Sequence, residues 1–278
     1  MPDASDPPGL IPRLRAAVER SFIVEVVRRF FELELLDRCL AIAAQAFVAL
    51  LPLEIVLVTT ILADGPVAIT NAIGDRFGLD SIARQAIRAL FAADTTQASI
   101  SWLAVVISVL TAFALSRRLS RVYASIFEVP SLRRAQSWRG IVWIGLQIAL
   151  LFSSSLLRDL RRDNGVTMFL LGTAGLLLLW WAADLAALRL LVPTVALRLA
   201  VASAVVASLG RLGVSAWSAL YMPHALSEQA AQYGPIGVTF SIFTYLLAGA
   251  LVYTIAPLLV VTWTRRRQSP DKSPAAGV

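Results

Sequence analysis

The chain has 278 residues, 58% of them hydrophobic and 15% charged, with a mean hydropathy of +0.72. Soluble domains run at about 45–50% apolar and about 25% charged, so the composition excludes an ordinary soluble globule and indicates a membrane protein. The net charge of +7 rests on 24 arginines and one lysine against 18 acids. These arginines cluster between apolar stretches without interleaved aromatics, which fits the anchoring of cytoplasmic loops and not nucleic-acid binding.

In chain order, residues 1–9 are acidic and Pro-rich and read as a disordered N-terminus, without the charged start and short apolar core of a cleavable signal peptide. Residues 10–38 place Ile11, Leu14, Val18, Val27 and Phe31 on one side, with Arg13, Arg20 and Arg28 between them. That spacing predicts an amphipathic cytoplasmic helix, either lying on the membrane surface or packed against other cytoplasmic segments. A six-helix transmembrane domain is expected over 39–263. Its spans are roughly Leu40–Leu62, Ile100–Leu115, Trp138–Leu157, Val166–Leu188, Val195–Trp217 and Ile236–Val261. The second has room to extend into Ser116–Arg121, and the fourth and fifth form a hairpin around Arg189 and Pro193.

Between the first two spans lies an outer loop, 63–98, with two short helical patterns: Ile69, Ile73 and Phe77, then Ile82, Ala86 and Leu90. Both packing at the interface and covering the outer mouth fit them. Residues 264–278 read as a disordered cytoplasmic tail. Sorting Lys and Arg by side puts 18 of the 25 on the side of both termini, which makes that side cytoplasmic. No internal repeat stands out, and an inverted-repeat transporter is not supported.

Ionisable groups inside spans are costly and mark partners or water-filled cavities. Glu54 stands in the first span two residues after Pro52, which removes a backbone donor and frees a carbonyl one turn back. About 21 Å of helix separates Glu54 from the start of that span, and about 24 Å separates Arg211 from the start of the fifth. Two readings follow. Glu54 and Arg211 pair inside the bundle, or Arg211 snorkels to the outer headgroups while Glu54 faces the water of the outer loop. Gln45 and Gln147 are the other polar intrusions and suit interhelical hydrogen bonds. Together Glu54, Pro52, Arg211, Gln147 and Gln45 make the expected substrate pathway. At the cytoplasmic side Asp184 and Arg198 are expected to form a structural ion pair that fixes the hairpin, with Arg189 beside them. Ala200, Ala204 and Ser208 in the fifth span, with Gly172 and Gly175 in the fourth, permit close helix approach.

Catalytic patterns are missing. The one cysteine, Cys39, excludes an intrachain disulfide and a cysteine-cluster metal site and reads as a small buried hydrophobe at the start of the first span. The one histidine, His224, reads as an outer-loop residue beside Pro223. Zinc-binding His pairs, a phosphate loop and a nucleophile elbow are all lacking, so no enzyme, metal or cofactor is expected.

Three segments carry a resemblance. They are AIAAQAFVALLPLEIVL at Ala41–Leu57, LSRRLSRVYASIFEVPSLRRAQSWRG at Leu115–Gly140, and Tyr233–Val261, which opens Tyr-Gly-Pro-Ile-Gly-Val. With Arg198 opening an Ala- and Ser-rich fifth span, they resemble the YihY/BrkB family of bacterial inner-membrane proteins, in order over 35–262. Two departures lie in the first span: Ala49, Leu50 and Leu51 stand where the family has a Ser and an aromatic before the Pro, and Glu54 lies outside the family pattern. The resemblance implies a multi-pass protein of the bacterial cytoplasmic membrane with a role in envelope integrity, stress resistance or movement of an envelope lipid or other amphiphile. The expected partners are the bilayer and an anionic lipid or amphiphile, and no nucleic acid. The alternative is a non-transporting scaffold with a packed, dry interior.

Overall fold

A computed structural model describes residues 21–60, 81, 84–85, 101–131, 138–147, 149–150 and 165–268, with the side chains of 50–60, 101–105 and 108 outside the description. All regular structure among the described residues is helical. The helices are α1 (Phe22–Glu32), α2 (Leu35–Thr60), α3 (Ser101–Phe127), α4 (138–147 and 149–150), α5 (Gly165–Leu191), α6 (Leu197–Tyr233) and α7 (Pro235–Gln268). Among the described residues α5, α6 and α7 are each long and apolar enough to cross a membrane. Such helices are expected of a membrane-associated chain, because a helix satisfies its own backbone polar groups in lipid.

The N-terminal segment differs from a single helix over 10–38. Glu34 adopts φ 50, and its N–H bonds back to the Phe31 carbonyl at 2.9 Å. A left-handed residue cannot continue a helix, so α1 stops at Glu32 and α2 starts afresh at Leu35. Residues 10–20 lie outside the described residues, as do the N-terminal 1–9 and the tail beyond Gln268. On α1, Phe22, Val26, Phe30 and Leu33 turn toward the rest of the protein, while Ile23, Val27 and Phe31 are exposed. Glu25 accepts a bond from Arg266 at 2.8 Å, and Phe22 meets Trp263 edge to face at 5.7 Å. The start of α1 is thereby fastened to the end of α7.

At the centre stands α7, packed against α6, α2, α3 and α1, and α3 meets α5 to close the bundle. The apolar core lies at the arginine-rich end. There Leu35, Cys39 and Ile42 of α2 pack with Val122, Ile126 and Phe127 of α3, Leu188 and Leu191 of α5, and Leu258 and Val261 of α7. Cys39 is fully buried, with its sulfur 3.0 Å from Thr254 Oγ1, as a small buried residue should be. Ser120 donates to the Leu191 carbonyl at 2.9 Å and ties α3 to the α5–α6 turn. By contrast the first half of α5 is exposed and apolar, with Val166 77% and Leu170 61% accessible, as a lipid-facing surface would be.

Several helices run past their expected ends. In α3 the helix continues past Leu115 and beyond Arg121 to Phe127, because Leu119, Val122, Tyr123 and Ile126 recur at helical spacing and are buried. Arg117 and Arg121 point out from the same turns. In α6 the helix continues through Pro223 to Tyr233, about 55 Å for its 37 residues, well beyond a hydrocarbon core of about 30 Å. His224 therefore stands exposed on a helix and not in a loop. The extension is held because Met222, Leu226 and Ala230 are buried opposite Gly237, Val238 and Ser241 of α7. Gly234 makes the reversal at φ 59 and ψ −138, Pro235 opens α7 where no N–H is needed, and Gly237 lies against the Gln229 carbonyl. The tail boundary moves too, since α7 remains helical to Gln268. Of the outer loop, Ser81, Arg84 and Gln85 are helical, and its other residues lie outside the described ones.

Candidate functional site: a buried ion pair between aromatic rings

Asp184 sits two turns before the end of α5 and is 4% exposed. Arg211, on the fourth turn of α6, donates from Nη1 to Asp184 Oδ1 at 2.9 Å. Helix geometry explains why residues at different heights meet. Each Cα–Cβ bond tilts toward its own helix N-terminus, and α5 and α6 run antiparallel, so Asp184 leans toward the far end of the bundle and Arg211 leans back toward it.

Two aromatic rings flank the cation. The guanidinium carbon lies 5.1 Å from the Trp180 ring and 5.6 Å from the Tyr253 ring, distances that favour a desolvated cation over each π-face. Gly210 lets α7 approach here, since a Cβ at that position would lie 2.8 Å from Val252. Tyr253 takes a hydrogen bond with Gln147 of α4. From α3 the buried Tyr123 lies within electrostatic reach of Tyr253, Asp184 and Arg211. Five helices thus converge on one ion pair.

The pair is incompletely satisfied. Asp184 Oδ2 and the indole N–H of Trp181, one turn earlier on the same helix, are buried and have no hydrogen-bond partner among the described residues. A buried carboxylate oxygen and a buried N–H without partners are each destabilising. Such atoms are found where a ligand or water binds. Arg211 keeps 21% of its side chain accessible against 4% for Asp184, so the guanidinium is the more open end of the pair.

The expected site residues divide as follows. Arg211 and Gln147 are brought together, through Tyr253. Gln45 lies elsewhere: its Nε2 donates to the Thr111 carbonyl at 3.4 Å, joining α2 to α3, and its Oε1 is buried without a partner among the described residues. Pro52 and Glu54 lie on the helical backbone of α2, and their side chains are outside the described residues. The acid found on Arg211 is Asp184. The structural pair expected between Asp184 and Arg198 is therefore corrected: Arg198 is exposed at the start of α6, and the turn is fastened by Arg189, whose Nη1 donates to the Val195 carbonyl at 3.2 Å. Asp184 points away from the turn, for the tilt reason given above. Trp180, Trp181, Tyr123 and Tyr253 escaped sequence reasoning because aromatics in a span look like lipid-facing or core residues. The only signal was a carboxylate one helical turn after a Trp pair, in Trp180-Trp181-Ala182-Ala183-Asp184.

No family profile, characterised protein or solved structure matches the chain. The likeness to YihY/BrkB proteins rests on the residues quoted for it.

Proposed function

We propose that this chain is a multi-span protein of the bacterial cytoplasmic membrane, of the YihY/BrkB kind, that moves an anionic envelope lipid or similar amphiphile across the bilayer. Arg211 is the headgroup partner, positioned by Trp180 and Tyr253 and held in waiting by Asp184. One observation carries the reading: a partly accessible arginine is held inside an apolar bundle by a single carboxylate oxygen. An apolar replacement would serve folding as well or better, and an ionisable group in a membrane helix is by default a functional one.

The aromatics support a placement in the bilayer. Trp217 and Tyr221 stack at 5.0 Å on α6, about 30 Å above Leu197. Trp138 and Trp263 are exposed near the arginine-rich end. Two such belts suit the two interfaces, with Arg265–Arg267 and both termini on the cytoplasmic side. The exposed row Ile23, Val27 and Phe31 then suits burial at the inner interface.

The test is reconstitution into liposomes carrying fluorescent phosphatidylglycerol, with dithionite quenching as readout. The wild-type protein is expected to speed transbilayer movement, and Arg211→Gln to return it to the protein-free rate. A scaffold reading has its own support in the densely packed core around Cys39, Ile126 and Leu258. On that reading the wild-type protein leaves lipid movement at the protein-free rate.

A further inference from the structure

The charge balance of the site sets a condition on any anion that enters it. In the structure Arg211 and Asp184 neutralise one another. A monoanionic phosphate ester that takes the guanidinium leaves Asp184 without its cation, and its Oδ2 has no other partner among the described residues. Trp180, Tyr253 and Tyr123 crowd the same volume. An uncompensated carboxylate in such surroundings is strongly disfavoured.

We propose that binding of an anionic headgroup at Arg211 is coupled to protonation of Asp184, so that the site exchanges an internal salt bridge for an external one and takes up one proton per anion. The proton comes from the aqueous phase. It joins a carboxylate oxygen of Asp184 as the Arg211 bond to Oδ1 breaks, and it returns when the anion leaves and that bond reforms. Total charge within the bundle is zero in both states. The Arg211 guanidinium carries five N–H groups in a fork that suits a phosphate.

Among the described residues, the other charged or titratable groups around Asp184 do not supply the compensation. Tyr253 and Tyr245 reach it or Arg211 from α7, and Tyr123 from α3; phenols are neutral near pH 7. From α4 the polar neighbour is Gln147, and on α5 itself Arg189 is engaged with the Val195 carbonyl. A cation displacing Arg211 from Asp184 is the mirror alternative. It is disfavoured because Asp184 is the buried partner and because the two rings hold the guanidinium in place.

This rests on the anionic-headgroup reading above, and the experiment separates the two. Full-length protein in a neutral detergent is titrated with dihexanoyl phosphatidylglycerol in weak buffer containing a pH indicator. Inorganic sulfate, which carries no proton near neutrality, serves as the small-anion arm. The expected result is one proton taken up per lipid bound and a roughly ten-fold loss of affinity per unit rise in pH. Asp184→Asn is expected to bind without proton uptake and without pH dependence, and Arg211→Gln to bind neither probe. Binding of sulfate with the same proton uptake would assign the site to small anions, and binding of the lipid alone would assign it to amphiphiles. Lipid binding by the wild-type protein without proton uptake, or unchanged uptake in Asp184→Asn, overturns the coupling and leaves the transport reading standing. Absence of binding by either probe overturns both.

Discussion

Asp184 and Arg211 offer a clean separation of folding from function at the level of single side chains. Arg211→Ala strands a buried carboxylate and is expected to destabilise the protein by about 3–5 kcal/mol. The double replacement Asp184→Leu with Arg211→Met removes both charges and is expected to unfold within about 1 kcal/mol of the wild type or above it, while lipid movement is lost. Unfolding in mixed micelles, followed by tryptophan fluorescence, measures the first quantity and the liposome assay the second. If the double variant unfolds as readily as Arg211→Ala, the pair is structural. One of the two sequence readings of Arg211 paired it with an acid inside the bundle, and the small buried nature of Cys39 was legible in the sequence too. The identity of the acid was not, because counting helical rise from the ends of the spans places Cα atoms only. The opposed tilts of two antiparallel helices, and the long reach of Arg211, bring the side-chain tips together from different heights.

The α6–α7 turn concentrates the demands of one element boundary on three residues. Gly234 sits at positive φ with an extended ψ, which a side chain resists by about 1–2 kcal/mol, and a Cβ on Gly237 would run into the Gln229 carbonyl. Gly237→Ala is expected to lower stability by about 1–3 kcal/mol. Gly213→Ala, where a Cβ meets nothing within 4 Å, serves as the neutral control. Thermal denaturation of the three purified proteins checks the order. The Tyr-Gly-Pro-Ile-Gly stretch was conspicuous in the sequence, and its physical content is this turn.

A second boundary, at the end of α3, responds to pH. Glu128 accepts from Arg265 of α7 at 2.8 Å, and that hydrogen bond holds its carboxyl below the ordinary range. A carboxyl lowered by folding adds stability that is complete above its unfolded value and vanishes as pH falls through the folded one. The α3–α7 contact should therefore loosen below pH of about 4.3. The effect is small because the Glu128 side chain is 61% exposed and salt screens it. A spin label at Gln268 is expected to gain mobility on acidification, and Glu128→Gln to show the same mobility at neutral pH. Helix ends were the least legible part of the fold. Hydropathy stops at Leu115 and near Trp217, whereas α3 and α6 continue by burying one face against protein while the other meets water.

For the whole molecule, the contacts of Arg266 with Glu25 and of Arg265 with Glu128 place the start of α1, the end of α3 and the end of α7 together. His224 lies at the opposite end, beyond Trp217 on α6. In a Cys39→Ala background, cysteines replacing Glu32 and Gln268 should therefore behave alike toward an impermeant maleimide added to intact cells, both protected, and one replacing His224 should be labelled. Labelling of residue 32 without residue 268 would contradict the bundle itself, and labelling of both would reverse the proposed orientation. The all-helical character and the α5–α6–α7 succession were plain from apolar runs. The order in which helices touch was not, since nothing in hydropathy marks α7 as the central one.

The clasp between Glu25 and Arg266 spans 241 residues of chain. A ribosome making this protein releases Glu25 long before the arginine that fastens it. Until then Phe22, Val26 and Phe30 have no Trp263 or α7 to rest on, and they wait while α2 to α6 are made. A variant lacking the last turn of α7 would leave α1 without its Arg266 clasp.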